Sequence, residues 1–225
     1  MPSSYLPIGD YGLVGNMRTA ALVGKNGSVD WLCLPHFDSP SVFAGILDDA
    51  KGGHFKVEVD GNYSCRQTYL PDSNVLVTRF TGEEGAAEVV DYMPVGEVGP
   101  DTGYHGLIRH IRVLRGTVSL RVRVAPAFDY GRSTHTVELT DEGAVFTSET
   151  GGPDGGPLRV ALSTVRTLHI DAADADHPAV VRDFELTRGD RVTLELRHLD
   201  ADAVLDEPLS RETEYALFRQ TTDYW

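Results

Sequence analysis

The tetrapeptide Lys25-Asn26-Gly27-Ser28, set between the apolar runs 19–24 and 29–34, constrains this chain more than any other stretch. A tight type I′ turn needs positive φ at both central residues, which Asn and Gly tolerate best, so an antiparallel hairpin is predicted here. In its second strand Val29, Trp31 and Cys33 would share one face and Leu32 and Leu34 the other, because side chains alternate along a strand. Both faces are then apolar, and such a strand has to be covered on both. The cover comes either from the same domain, with 29–34 as a central strand of a sandwich, or from a partner domain.

Downstream, Val118, Leu120, Val122 and Val124 alternate with Ser119, Arg121 and Arg123, and Val192, Leu194 and Leu196 with Thr193, Glu195 and Arg197. Weaker runs of the same kind occupy 55–59, 75–80, 87–93, 107–114, 136–139, 158–165 and 180–186. Many short strands with no helical segments between them predict an all-β antiparallel sandwich over residues 1–205, with surface loops at 95–106 and 150–157. The last twenty residues read differently. Asp206 as N-cap, Pro208 in the first turn, and Leu209, Ala216 and Leu217 at helical spacing predict a helix over 206–225. The terminal Tyr224-Trp225 pair would seldom be left in water, which predicts a linker helix at the threshold of a further domain, or a helix docked by its own aromatics.

With 20 Lys plus Arg against 34 Asp plus Glu, a net charge of −14, phosphate backbones and anionic membranes would be repelled, so neither nucleic acid nor membrane is an expected partner. No stretch approaches the ~20 apolar residues of a membrane span, and MPSSYLPIGDYG lacks the basic and apolar regions of a signal peptide. Cys33 and Cys65 cannot build a disulfide framework, which fits a reducing cytoplasm. No HExxH or Cys-x-x-Cys spacing occurs, so no metal and no cofactor is expected. Gly9, Gly12 and Gly15 precede a strand rather than a helix and lack a phosphate cradle. His36 with Ser39 and Ser41 lacks the strand-to-helix elbow of a serine hydrolase.

Asp38 and Asp129 each follow a Phe in a turn-like setting. Burial against aromatics would suit a general acid, whereas the plainer roles are turn formation or, for Asp38, capping a helix over 41–47. Tyr11, Trp31, Phe37 and Tyr130 offer flat faces for a sugar ring beside Asp10, Asn16 or Asp38, with core packing the alternative for Trp31 and Phe37.

The run YLPIGDYGLVGNMRTAALVGKNGSVDWLCLPHFDSPSVFAGIL, followed by Gly53-His54-Phe55, Asp91-Tyr92-Met93-Pro94 and Pro126-Ala127-Phe128-Asp129-Tyr130-Gly131-Arg132, resembles the N-terminal domain of prokaryotic glucoamylase-like and trehalase-like enzymes of glycoside hydrolase family 15. The resemblance implies a β-super-sandwich, a linker helix and then an (α/α)6 barrel that cleaves α-glucosidic bonds with inversion, its two carboxyl groups roughly 6.5 to 9.5 Å apart. Those carboxyls would sit on barrel loops, so no catalytic residue is implied here. The expected partners are the barrel and an α-glucan or trehalose ligand. Trp31, Leu32, Leu34, Phe37, Asp38, Ser39 and Tyr130 are the candidates for the domain interface or the substrate rim. The alternatives are a free-standing carbohydrate-binding module and an assembly domain that pairs through Leu32 and Leu34.

Overall fold

The structure is a computed structural model that describes residues 5–95, 106–152 and 155–225. In chain order the strands are β1 (Tyr11–Gly15), β2 (Ala20–Gly24), β3 (Ser28–Cys33), β4 (Ser41–Phe43), β5 (His54–Val59), β6 (Ser64–Tyr69), β7 (Leu76–Thr81) and β8 (Gly85–Tyr92). They continue with β9 (Gly106–Ala125), β10 (His135–Thr140), β11 (Gly143–Ser148), β12 (Arg159–Ser163), β13 (His169–Asp171), β14 (Ala179–Thr187) and β15 (Arg191–Leu199), and a helix over Arg211–Tyr224 follows. All pairings among them are antiparallel. The first sheet runs β1-β2-β3-β5-β9-β14-β13 with β4 beside β3. The second runs β6-β7-β8-β9-β15-β12-β11-β10.

The 20-residue β9 belongs to both sheets. Its first half lies between β8 and β15, and its second between β5 and β14. The changeover falls at Gly116, whose φ is 66° and where a Cβ would meet Glu84 O at 1.8 Å, so only glycine fits the corner. A register shift against β8 at Ala86/Ala87 leaves Leu114 as an extra residue. Side-chain parity changes there: Leu107, Ile111 and Val113 face the core before the corner, and Val118, Leu120, Val122 and Val124 after it.

Between the sheets, Arg109 is 0% exposed. Its Nε and Nη2 donate to Asp91 at 2.7 and 3.3 Å, Nη1 donates to Phe55 O at 2.7 Å, and Nη2 also reaches Gly27 O at 2.9 Å. The guanidinium lies 4.7 Å from the Phe55 ring. One ion pair from the second sheet thereby holds the β2–β3 turn and β5 of the first.

The all-β architecture and the closing helix agree with the sequence reading, and four details correct it. The hairpin forms, but as a three-residue loop: Gly27 N donates to Gly24 O at 2.9 Å and only Gly27 has positive φ, at 79°. The cause is docking, since Gly27 O accepts from Val57 N at 3.0 Å and a Cβ at Gly27 would come within 2.3 Å of Val57 O. Leu22 pairs Trp31 while Val23 pairs Val29, so Asp30 is bulged and the alternation slips. Val29, Leu32 and Leu34 therefore share the core with the second sheet. Leu32 and Leu34 are both 0% exposed, covered within the domain, and offer no outside surface for a barrel or a second copy. Residues 41–43 form β4 rather than the start of a helix. The C-terminal helix is capped by Ser210, whose Oγ accepts from Thr213 N at 3.1 Å, while Asp206 instead pairs with Arg197 at 2.6 Å. The predicted 95–106 loop lies, apart from its ends, outside the described residues, as do Pro153 and Asp154 of the other loop. Among the described residues no helix is long and apolar enough to cross a membrane.

Candidate functional site

Past β3, His36 to Ser39 close a turn in which His36 N donates to Ser39 Oγ at 3.1 Å and Ser39 N to His36 O at 3.2 Å. The Ser39 hydroxyl thus holds the loop, and no strand-to-helix elbow presents it as a nucleophile. Phe37 N donates to Arg18 O at 2.9 Å, which binds this turn to the β1–β2 connection, and the Phe37 ring is left 58% exposed. Asp38 is exposed, without the apolar surroundings a general acid needs.

The second loop of this region carries Asp129, Tyr130 and Gly131, with φ of 51°, 60° and 73°. Two consecutive non-glycine residues in the left-handed region cost about 1–3 kcal/mol each and persist only where neighbours hold them. Here the Ser41 hydroxyl accepts from Tyr130 N at 2.9 Å, Arg132 pairs with Asp129 at 2.8 Å, and a Cβ at Gly131 would press on Lys51 O at 2.9 Å. The conformation turns the Tyr130 ring outward, 6.2 Å from Trp31 at 49° and 5.4 Å from the Arg132 guanidinium. Trp31 is half-buried and Tyr130 is 44% exposed.

The C-terminal helix reaches the Met17 side of the domain after crossing the second sheet. Leu217 and Phe218 pack on Val75, Val77, Val90, Tyr92 and Ile108, and the Tyr92 hydroxyl donates to the Glu214 carboxylate at 3.1 Å. Burial and Glu214 push the Tyr92 pKa up, so the hydroxyl stays a donor. In the last turn the Tyr224 hydroxyl lies 3.5 Å from Met17 Sδ, and Trp225 packs edge-on against Tyr224 at 5.6 Å. Met17, with φ of 66°, adjoins Arg18, which holds Phe37. Met17, Tyr224 and Trp225 are 56%, 51% and 43% exposed, so with Phe37 they bring large apolar groups to one end of the sandwich, as interaction surfaces do.

Among the predicted site residues, Trp31 and Tyr130 meet, Phe37, Asp38 and Ser39 share a turn, and Leu32 and Leu34 lie in the core. The sequence does not single out Met17, which sits in an unremarkable Gly-Asn-Met-Arg turn, and it points to Ser41 only beside His36, because the Ser41 hold on Tyr130 is a contact 89 residues away. Burial pushes the Cys33 thiol up to about 11, which keeps it a protonated core residue. Among the described residues no group of three or more His, Cys, Asp or Glu is placed to hold a metal ion.

A family model described as "Trehalase-like, N-terminal" matches residues 3–216. The chain is 34% identical over 207 residues to a trehalase of Mycolicibacterium smegmatis, covering 84% of this chain and 30% of that protein. It is 40% identical over 136 residues to trehalase 1 of Sulfolobus acidocaldarius, covering 60% of this chain and 22% of the relative. With a trehalase of Thermoplasma acidophilum the identity is 29% over 210 residues, covering 91% and 33%. The chain thus spans a third or less of the length of these relatives. It belongs to the family of trehalase-like N-terminal domains.

Proposed function

We propose that this domain is the non-catalytic N-terminal part of a cytoplasmic, inverting α-glucosidic hydrolase of the family 15 type, with trehalase or glucoamylase specificity. Residues 1–205 form the supporting sandwich, and 206–225 lead into an (α/α)6 catalytic domain. The observation that carries this reading is the meeting of the C-terminal helix with Met17 beside Phe37, which leaves large apolar side chains exposed where the helix ends. A catalytic domain seated there would cover Met17, Phe37, Tyr224 and Trp225. The Trp31–Tyr130 pair and the Asp38-Ser39 turn would then border its cleft, where an aromatic face beside polar groups suits an α-glucan or trehalose.

The test is glucose release from trehalose and from maltose by the full gene product and by residues 1–225 alone. The full product should be active and the domain alone inactive. In the full product, Met17→Asp with Phe37→Asp should lower thermal stability and activity together, whereas Tyr130→Ala should raise KM with little change in stability. Hydrolysis by residues 1–225 alone, or an unaffected Met17→Asp/Phe37→Asp enzyme, would overturn the reading.

A further inference from the structure

The outer face of the second sheet keeps a cleft of roughly 720 Å³ alongside the first two turns of the C-terminal helix. That size lies in the small-molecule range of about 300–1,000 Å³. Leu70, Val77, Val90 and Phe218 give it an apolar lining, and His110, Glu212 and Glu214 contribute polar groups. Three arginines line it, in a chain whose acidic residues outnumber the basic ones by 14.

These three guanidinium groups are not equivalent. Arg112 is committed, its Nε donating to the buried Glu88 at 2.7 Å. Arg191 and Arg211 are exposed and make no hydrogen bond or ion pair among the described residues. Of the lining carboxylates, Glu214 accepts from the Tyr92 hydroxyl at 3.1 Å and stands 3.8 Å from His110 Nδ1, which leaves Glu212 against two uncommitted cations. His110 reports the balance. Burial lowers its pKa first, Glu214 opposes this, and Arg191, Arg112 and Arg211 all lower it further.

We propose that this cleft binds an amphipathic organic carboxylate, its apolar or aromatic body on Val77, Val90 and Phe218 and its carboxylate between Arg191 and Arg211. A guanidinium pairs a carboxylate through two parallel N–H donors, which fixes orientation as well as adding affinity. A neutral sugar would leave both charges unanswered and gain little from aliphatic side chains. The site is separate from the Phe37 end and does not depend on the catalytic reading above.

Calorimetry and amide NMR on this domain with 2-naphthoate, the neutral 2-naphthalenemethanol and acetate test it. 2-Naphthoate should bind saturably and shift the amides of Val77, Val90 and Tyr215, with each half-ligand at least about tenfold weaker, the factor that one charge-assisted hydrogen bond supplies. Arg191→Gln with Arg211→Gln, both at exposed positions, should weaken 2-naphthoate about tenfold and flatten its salt dependence. Equal binding of the neutral alcohol, or an unaffected double variant, would reduce the cleft to a bare apolar patch and overturn the proposal. So would the absence of saturable binding, or shifts confined to other parts of the domain.

Discussion

The two sheets share β9 and one core, yet their outer faces differ. On the first, Glu58, Asp60, Arg121, Asp183 and Glu185 border an open, charged groove, and Arg121 meets Asp183 with both side chains more than half exposed. On the second, Val75, Val77, Val90, Tyr92 and Ile108 lie under the C-terminal helix, and Val145, Ala161 and Leu199 lie under Leu205. One of its carboxylates is buried as well. Glu88 is 1% exposed between Arg79 and Arg112; burial alone would raise its pKa, but hydrogen bonds from both arginines outweigh that and hold it below the usual carboxylate range. The first face is finished by water and much of the second by protein, which decides where substitutions should be felt.

The largest effect is expected beneath both faces. Arg109→Met removes the donors of Asp91, Phe55 O and Gly27 O and leaves Asp91 buried without a counter-charge. Breaking one side of a buried pair costs about 3–5 kcal/mol, which chemical denaturation would register as a large fall in the midpoint. Arg109→Met with Asp91→Leu should recover much of that loss, because the stranded charge is gone. If the double variant were no better than the single one, the contacts of Arg109 to the β2–β3 turn and β5 would be the larger part of its role.

Next comes the covered face. Leu217→Ala empties the centre of the contact between the helix and Val77, Val90 and Ile108, for which about 2–4 kcal/mol is the usual loss. Undocking of the helix ahead of the sandwich would appear as early loss of hydrogen-exchange protection over 211–224, with β9 still protected. Simultaneous loss in both would mean that the helix is an integral part of the fold rather than a separable cover.

Acid should distinguish the interior from the open groove. Burial lowers the pKa of His54, His110, His135 and His198, despite opposing carboxylates near all four and a hydrogen bond to Pro178 O at His135. For a histidine with a depressed folded-state pKa, the unfolded chain holds the extra proton. Stability is therefore full above the unfolded value of 6.5 and falls as pH drops through that value toward the folded one. Denaturation midpoints should decline from pH 7.5 to 5, and His110→Gln should flatten the decline while Arg121→Gln leaves its shape unchanged. A midpoint independent of pH across this range would contradict the burial of these imidazoles.

The difference between the faces was partly legible in the sequence. Val118 to Val124 alternates cleanly because arginines alternate with valines on a sheet whose other side is wet. Residues 107–114 alternate poorly because Ile108 needs cover outside while Arg109 points inside. What pattern alone could not give is parity after an irregularity. The bulge at Asp30 moved Trp31 out of the core and Leu32 into it, and the extra Leu114 reversed β9. Both follow from tertiary docking, of the turn on Val57 and of the corner on Glu84. The helix was legible, but its cap was displaced by four residues, since Asp206 found Arg197 while Ser210 was free to take Thr213 N. Tyr130 meeting Trp31 was illegible, because left-handed φ at Asp129 and Tyr130 has no glycine signal in front of it and depends on Ser41.

The smallest effect is expected on the wet face. Arg121 and Asp183 form a two-pronged pair at 2.6 and 2.9 Å on neighbouring strands, the geometry that often suggests a strong bond. Yet both side chains are mostly in water, where attraction is screened and two long side chains have to be ordered to meet. Arg121→Gln should leave the denaturation midpoint unchanged within error at physiological salt, with a detectable loss only at low ionic strength. A loss that persisted in high salt would mean that the groove is covered in solution, and the contrast between a wet face and a protein-covered one would fail at that position.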